Sequence, residues 1–572
     1  MPLNYHSNET IPVRSFQAIV VGSGISGGWA AKEFCDKGIR TLVIERGRKV
    51  EHNKDYPTSQ LAPWELPHRG NITDQFKKEN PLITKSAGFG EDNAHFFIKD
   101  AIQPYIQEKP FDWIRGYQLG GKSIIWGRAC QRWSDHEFSA PQKFNYGLDW
   151  PIRYKDVEDW YTHVETFIGV CGNKDGIEAM PDGIYMKPFE LTDVEQHIKK
   201  VIHEKYDRHL VHARWAHLTD PQPIHLAQGR GQCQARNLCM RGCPFGGYFS
   251  SVSSTLPWAD KTGNLSILTD AIVHSVVYDE ATQKAIGVRV IDAKTKKKYI
   301  YYADIIFLNA STLNSNLILL NSTSKRFPNG LGNDSGILGK YICHHNYRAS
   351  VWGKMPGFDD SYVFGRNPTD AIIANYRNLG KQETNFIGGY TTFIGTYRKR
   401  MDEEVTADTI GSAFKDAMQS PGNWHVYAYM QGETIPKKEN HVRLSTDQKD
   451  EFGLPLLITS VGYDENDNRL TEDFIQETRT MLAAAGVVDI GHIDNGQAPG
   501  LDIHEMGGCR MGKDISSSIL NEYNQMHLCR NVFVTDGACM TSTGNQSPSI
   551  LYMALTARAV DYAVKALKAG NL

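Results

Sequence analysis

Two groups of residues in this 572-residue chain have the types and spacing to do chemistry. The first is Gly22-Ser-Gly24-Ile-Ser-Gly27, answered by Glu45 further along the chain. In such a turn the first glycine permits a tight bend, the second lets backbone N–H groups approach a pyrophosphate, and the third lets a helix pack against a strand. An acidic residue about twenty positions on can accept hydrogen bonds from a ribose 2′-hydroxyl and disfavours a 2′-phosphate. The second group is Cys233-x5-Cys239-x3-Cys243-Pro244, in the Gly-rich stretch 228–250. Thiolates so clustered suit a metal centre. Zinc would call for a fourth Cys or His, for which His225 is a distant candidate, and three structural thiols in an irregular loop are the alternative.

The elements around the glycines make the first reading specific. Gln17 to Val21 is a short apolar run that reads as a strand, Trp29 to Cys35 carries helical periodicity ended by Gly38, and Thr41 to Ile44 is a second strand ending in Glu45. A strand, helix, strand unit in register with the glycines places a pyrophosphate at the positive end of a helix.

Length exceeds what one hydrophobic core usually supports, so two closely linked domains are expected. A net charge of -3 gives no electrostatic footprint for nucleic acid or an anionic membrane. No apolar run reaches the roughly twenty residues that span a bilayer. The polar start Met1 to Thr10 lacks the basic and apolar regions of a secretory signal. Of the ten cysteines, the seven outside the cluster read as buried thiols.

Further along, residues 48 to 110 are polar and aromatic-rich, an excursion from the nucleotide-binding sheet. Residues 115 to 128 present Gly120 and Gly121 as backbone amides before an apolar segment. Residues 151 to 207 read as helical and solvated, with Tyr154 to Phe167 amphipathic. Alternating β-branched runs, Ser266 to Val277 among them, predict strands and a hairpin, and Asn314 to Leu320 predicts a helix. From about 346 to 480 short strands (Ala349 to Trp352, Trp424 to Met430, His441 to Ser445) predict an antiparallel sheet. Within that region, loop 356 to 380, with Tyr362 and Arg366, is a candidate lid. The chain then returns to its first domain through the strand Val532 to Thr535 and the helix Ser549 to Leu567. The domain boundaries are therefore placed at 1–345, 346–480 and 481–572.

Four motifs occur in order: the glycines 22 to 27, Gly120-Gly121-x-Ser123-x-x-Trp126, His504-Glu-Met-Gly-Gly-Cys-Arg-Met-Gly512, and Val534-Thr-Asp-Gly537 through Asn545. With them the chain resembles the glucose-methanol-choline (GMC) oxidoreductases over essentially its whole length. The resemblance implies an α/β fold with a Rossmann-type FAD domain and a substrate domain built on an antiparallel sheet. It selects FAD for the first motif and adds Gly120, Gly121, Ser123, Trp126, Val273 and Asp536 to the cofactor-binding set. It makes His504 a general base for an alcohol proton and Asn545 a hydrogen-bonding partner of the same substrate oxygen. The residue types suit those roles, since imidazole titrates near neutrality and an amide orients an alkoxide without competing for it. His344 and His345 are instead read as buried histidines satisfied by backbone.

Within the family the chain looks most like pyranose oxidases and FAD sugar dehydrogenases, on Ile435-Pro-Lys-Lys-Glu-Asn440 and the 504–512 motif. It departs at two points. Pyranose oxidases bond FAD to a histidine just before the tryptophan, where this chain has Ile125, so FAD is expected to be non-covalent. Where they place an arginine near the sugar, this chain has Glu433, two residues after Gln431, and these two are the substrate-contact candidates. The cysteine spacing resembles that by which bacterial sugar dehydrogenases hold a [3Fe-4S] cluster, and three thiolates with no fourth suit three irons. The expected activity is oxidation of a secondary ring hydroxyl of a sugar or glycoside, at C3 by resemblance to glucoside 3-dehydrogenases, with electrons leaving through the cluster to a cytochrome c-type acceptor. An oxygen-using sugar oxidase is the alternative. The resemblance also implies a small partner subunit carrying a twin-arginine signal and periplasmic work by co-export, with cytoplasmic residence the other outcome.

Overall fold

The computed structural model describes residues 5–6, 16–363, 371–398, 411–419, 422–501 and 504–572. Its centre is a six-stranded parallel sheet in the order Tyr5–His6, Leu265–Leu268, Thr41–Ile44, Ala18–Val21, Ile305–Leu308, Val532–Val534. Strands buried on both faces must be apolar throughout, and Ala-Ile-Val-Val, Thr-Leu-Val-Ile and Ile-Ile-Phe-Leu are each wholly buried. Helices Ile25–Asp36 and Ser549–Lys568 pack on this sheet and on each other.

The turn between Ala18–Val21 and Ile25–Asp36 tolerates nothing larger than glycine at two places. Gly22 sits at φ +95°, and a Cβ there would meet the Asn309 carbonyl oxygen at 2.3 Å. A Cβ on Gly27 would lie 1.9 Å from the Gly22 carbonyl oxygen, because the first helical turn presses directly on the strand end. Helix and strand are thus seated by the contact the fingerprint predicts.

A second sheet of six strands, in the order Val488–Asp494, Ala349–Met355, Trp424–Gly432, Tyr390–Arg398, Ala371–Ile373, Leu210–His212, is antiparallel. Helices Glu465–Ala484 and Asp193–Tyr206 cover one of its faces. Its outer strands come from residues 210–212 and 488–494, beyond the segment 346–480 assigned to it by sequence, because both edges of the sheet recruit chain from the flanking regions. A five-stranded sheet, Met506–Gly508, Lys340–Cys343, His441–Lys449, Pro455–Ser460, Ile106–Gln107, lies at the junction of the two parts.

Two local expectations change, and a third falls partly outside the described residues. The run Ser266 to Val277 is two strands, since Asp270 adopts φ +54° and breaks it. Leu265–Leu268 enters the parallel sheet, and Ala271–Asp279 starts a separate three-stranded sheet. Helix Tyr154–Ile168 is not merely a solvated layer: Val157, Tyr161, Val164 and Ile168 are in the main core, and Glu165 forms a buried ion pair with Arg132 at 2.6 Å. Tyr362 is exposed, and its intended companion Arg366 lies outside the described residues.

The Gly27 contact yields a test of the fold. Gly27→Ala overpacks the helix against Gly22 and should cost about 1–3 kcal/mol of stability. Urea unfolding would register the loss, together with lowered flavin content. Parental stability in this variant would mean that the helix can retreat from the strand.

Candidate active site

A cavity of about 680 Å³ runs from the parallel sheet to the antiparallel one. At the first end it is lined by Gly22, Gly24, Glu45, Gly121, Ser123, Trp126, Val273 and Asp536, all assigned to the cofactor from sequence. A Cβ on Gly24 would meet nothing within 4 Å, so this glycine opens onto space beside the N-terminus of helix Ile25–Asp36. That helix has no side-chain cap and no acidic residue in its first turn, so its amides are left for an anion. A pyrophosphate fits there. Glu45 accepts from the Ser23 amide at 3.1 Å, the Ser23 hydroxyl at 2.5 Å and the Gly47 amide at 2.8 Å, and burial raises its pKa. Gly27 and Gly120 serve from behind: Gly27 seats the helix, and Gly120 at φ +86° donates its amide to Ser23 Oγ at 2.9 Å.

At the other end four chain segments converge. His504 precedes strand Met506–Gly508, His345 and Tyr347 lie between Lys340–Cys343 and Ala349–Met355, Gln431 is near the end of Trp424–Gly432, and Ser547 precedes the last helix. His504, Tyr347, Gln431 and Ser547 line the cavity. His504 adopts φ +66°, a region that costs a residue with a Cβ about 1–3 kcal/mol. Such strain at a single histidine is held only because its surroundings fix it. Burial foremost, then His345 and Lys122, hold its pKa well below the ordinary value, so the imidazole is neutral and able to take a proton.

The other two assignments from sequence fall behind this surface. Asn545 does not line the cavity; it is fully buried, its Oδ1 accepting from Thr391 Oγ1 at 3.0 Å and its Nδ2 donating to Glu137 at 3.2 Å. Both ends of the amide are thus turned inward. Glu433 is likewise buried and receives the Tyr146 hydroxyl at 2.9 Å. The neighbour that does face the cavity is Ser547, two residues after Asn545, whose hydroxyl lies 3.1 Å from Gln431 Oε1.

Aromatic rings that were not read from sequence complete the wall. Phe393 and Tyr429 are a cross-strand pair, stacked with ring centroids 5.0 Å apart. Tyr427, Tyr429 and Gln431 alternate along one strand and all line the cavity. That period of two is the signal that would have found them.

The three cysteines 233, 239 and 243 line one pocket with His217, while His225 is held away from it by the Gln222 amide and the Thr166 carbonyl. Among the described residues no three His, Cys, Asp or Glu side chains are drawn together as a metal site. The His217 ring lies 3.7 Å from Cys233 Sγ, the Gly247 amide donates to Cys243 Sγ at 3.3 Å, and the Arg230 guanidinium is buried nearby with its charge interacting with Cys243. The Gly247 amide acts to lower the Cys243 pKa, but burial, the larger influence, raises it. Trp126, Gly127 and Arg128 line the large cavity, and the Arg128 guanidinium lies 5.4 Å from the ring centroid of Tyr248, which borders the cysteine pocket. Arg128 and Tyr248 lie between the two sites.

Residues 16–346 and 436–556 match the models of the GMC oxidoreductases. The chain belongs to that family. FAD is accordingly its cofactor, and the enzyme acts on CH–OH groups. The fructose dehydrogenase large subunit of Gluconobacter japonicus is 24% identical over 99% of this chain and 100% of its own. The 2-methyl-1,2-propanediol dehydrogenase of Mycolicibacterium austroafricanum is 26% identical over 95% of this chain and 94% of its own. A structure of Aspergillus oryzae formate oxidase superposes with a TM-score of 0.62 at 14% identity, covering 98% of this chain and 100% of that one, which shows the shared fold.

Glu433 gives the site a measurable pH dependence. Burial, then the nearby Glu137 charge, raise its pKa from 4.5 to about 7. Between those values the folded chain holds a proton that the unfolded chain has released, so stability falls as pH rises across the window. Glu433→Gln should remove that slope and gain up to about 3 kcal/mol over the parent above neutrality. Urea midpoints at about pH 5 and about pH 8 read it; an equal difference between variant and parent at both would locate the buried proton elsewhere.

Proposed function

We propose that this chain is an FAD-dependent dehydrogenase that oxidises a secondary ring hydroxyl of a sugar or glycoside, at C3, to a keto-sugar. The observation that carries the reading is the neutral His504 held at the cavity surface beside Gln431, Tyr347 and Ser547. His504 takes the hydroxyl proton, and the polar side chains around it orient the neighbouring hydroxyls. FAD, when bound, supplies the acceptor for the hydride leaving the same carbon. Stacked Phe393 and Tyr429 offer an apolar face of the kind that the C–H face of a sugar ring packs against. The similarity to a fructose dehydrogenase subunit supports a sugar, and the choice of C3 rests on resemblance to glucoside 3-dehydrogenases.

Cys233, Cys239 and Cys243 would hold a [3Fe-4S] cluster, passing electrons onward to a cytochrome c-type acceptor. The shared pocket, the cationic Arg230 and the thin wall through Arg128 and Tyr248 support this route. His217 beside Cys233 favours a second reading of the same pocket, a Cys3His zinc site. By similarity to an enzyme named for its large subunit, a small partner bearing a twin-arginine signal would carry the chain to the periplasm. No helix among the described residues is long and apolar enough to cross a membrane.

His504→Ala should keep its FAD and lose flavin reduction by sugar about 10²–10⁴-fold in anaerobic stopped flow; normal reduction would remove His504 from the base position. Cys239→Ser should leave flavin reduction intact and block reduction of cytochrome c. Iron, sulfide and zinc analysis with paramagnetic resonance on anaerobically purified protein separates the readings. A three-iron signal stoichiometric with flavin supports the relay, and zinc, or flavin alone with hydrogen peroxide released on turnover, refutes it.

A further inference from the structure

His345 makes two hydrogen bonds whose directions are not interchangeable. Its Nε2 lies 3.0 Å from the Gly544 carbonyl oxygen, which can only accept, so that nitrogen carries the proton. Burial keeps the ring neutral, its pKa lowered to about 3, so its Nδ1 is an acceptor. The partner of that Nδ1, 3.0 Å away, is Nδ1 of His504. His504 must therefore donate from Nδ1, which leaves Nε2 as its lone-pair nitrogen. The two rings are nearly perpendicular, at 81°.

A second chain of bonds gives the same answer. Gln431 Nε2 donates to the Asn545 carbonyl at 2.8 Å, which turns Gln431 Oε1 toward the cavity as an acceptor. The Tyr347 hydroxyl gives its proton to that Oε1, so its oxygen, 3.4 Å from His504 Nδ1, faces His504 as an acceptor too. Both neighbours of His504 Nδ1 thus present lone pairs to it.

We propose that His345 is a positioning residue that fixes the Nε2-unprotonated tautomer of His504, with the Gly544 carbonyl as the fixed end of the relay. This rests on His504 being the base. It assigns a role to a histidine that sequence reasoning took as merely buried, and it accounts for the left-handed backbone at His504: that conformation turns Nδ1 inward onto two acceptors. A base whose proton sat on the wrong nitrogen would present a donor to the substrate oxygen, and loss of the tautomer-fixing partner in a comparable site costs about 10⁴-fold in turnover.

The test reads the tautomer directly. In FAD-loaded protein labelled with ¹⁵N-histidine, two-bond nitrogen–proton correlations distinguish the tautomers, and the His504 signal is the one absent from His504→Ala. A protonated Nδ1 and bare Nε2 in the parent is expected; the reverse overturns the proposal even if His504 is confirmed as the base. His345→Leu should slow flavin reduction at least a hundredfold with little change in the sugar's dissociation constant. His345→Gln, which can still accept and donate, should recover to within tenfold of the parent. Reduction by His345→Leu at the parental rate overturns the proposal, whereas normal reduction by His504→Ala overturns the reading beneath it.

Discussion

A backbone carbonyl can accept a hydrogen bond and cannot donate one, and two consecutive carbonyls, Gly544 and Asn545, set the polarity of the active site. The first receives His345 and the second receives Gln431. From these two fixed ends the direction of every bond between the loop and His504 follows. Side chains alone could reverse in concert, each hydroxyl or imidazole turning over with its neighbour; a carbonyl at the end of a chain forbids that. The loop must then be rigid, and this is where Asn545 enters. Its amide, clamped between Thr391 and Glu137, holds the carbonyls in place, and Glu137 is itself fixed by the Ser134 amide and hydroxyl, each at 2.7 Å. A residue assigned to substrate from its place in a motif is, in this geometry, part of the frame behind it.

How much of this was legible in the sequence depended on how local the determinant was. The nucleotide-binding turn is set by contacts between residues five apart, such as Gly27 on Gly22, so its glycines and Glu45 could be read in order and all but Gly27 and Gly120 face the cavity. His504 and Gln431 stood out through motif and neighbourhood. The rest of the site is made by elements far apart in the chain: His345 meets His504 across 159 residues and Gln431 meets Asn545 across 114. Nothing in a single sequence marks those encounters. Asn545 and Ser547 differ by two positions on an irregular loop, where no periodicity says which side chain turns inward. On the regular strand Trp424–Gly432, by contrast, alternation would have brought Tyr427 and Tyr429 along with Gln431.

Burial shapes the electrostatics of both sites in opposite senses. Around His504 it removes charge, holding His504 and His345 neutral and pushing Glu433 up to about 7, with Lys122 a cation on the cavity wall. Around the cysteines it concentrates positive charge. Arg230 is buried, its guanidinium donating to the Gly246 carbonyl at 3.0 Å and the Ile168 carbonyl at 2.7 Å, with no carboxylate among these partners. A buried cation so placed is costly unless an anion offsets it, and the burial lowers even the arginine's pKa to about 9. Cys243 interacts with that charge, although burial raises its own pKa.

The two sites are joined through the side chains between them. A neutral imidazole suits proton removal from an alcohol, and the cysteine pocket has a buried guanidinium beside it. Arg128 lines the large cavity and Tyr248 the cysteine pocket. The Arg128 guanidinium donates to the Trp126 carbonyl at 2.7 Å on the cavity side and lies over Tyr248 on the cysteine side, and Tyr248 in turn donates to the Cys239 carbonyl at 3.0 Å. The contacts from Trp126 to Cys239 thus run through Arg128 and Tyr248, the guanidinium lying over the ring at the middle step. Of the three cysteines, Cys239 is buried, and Cys233 and Cys243 are only half-buried.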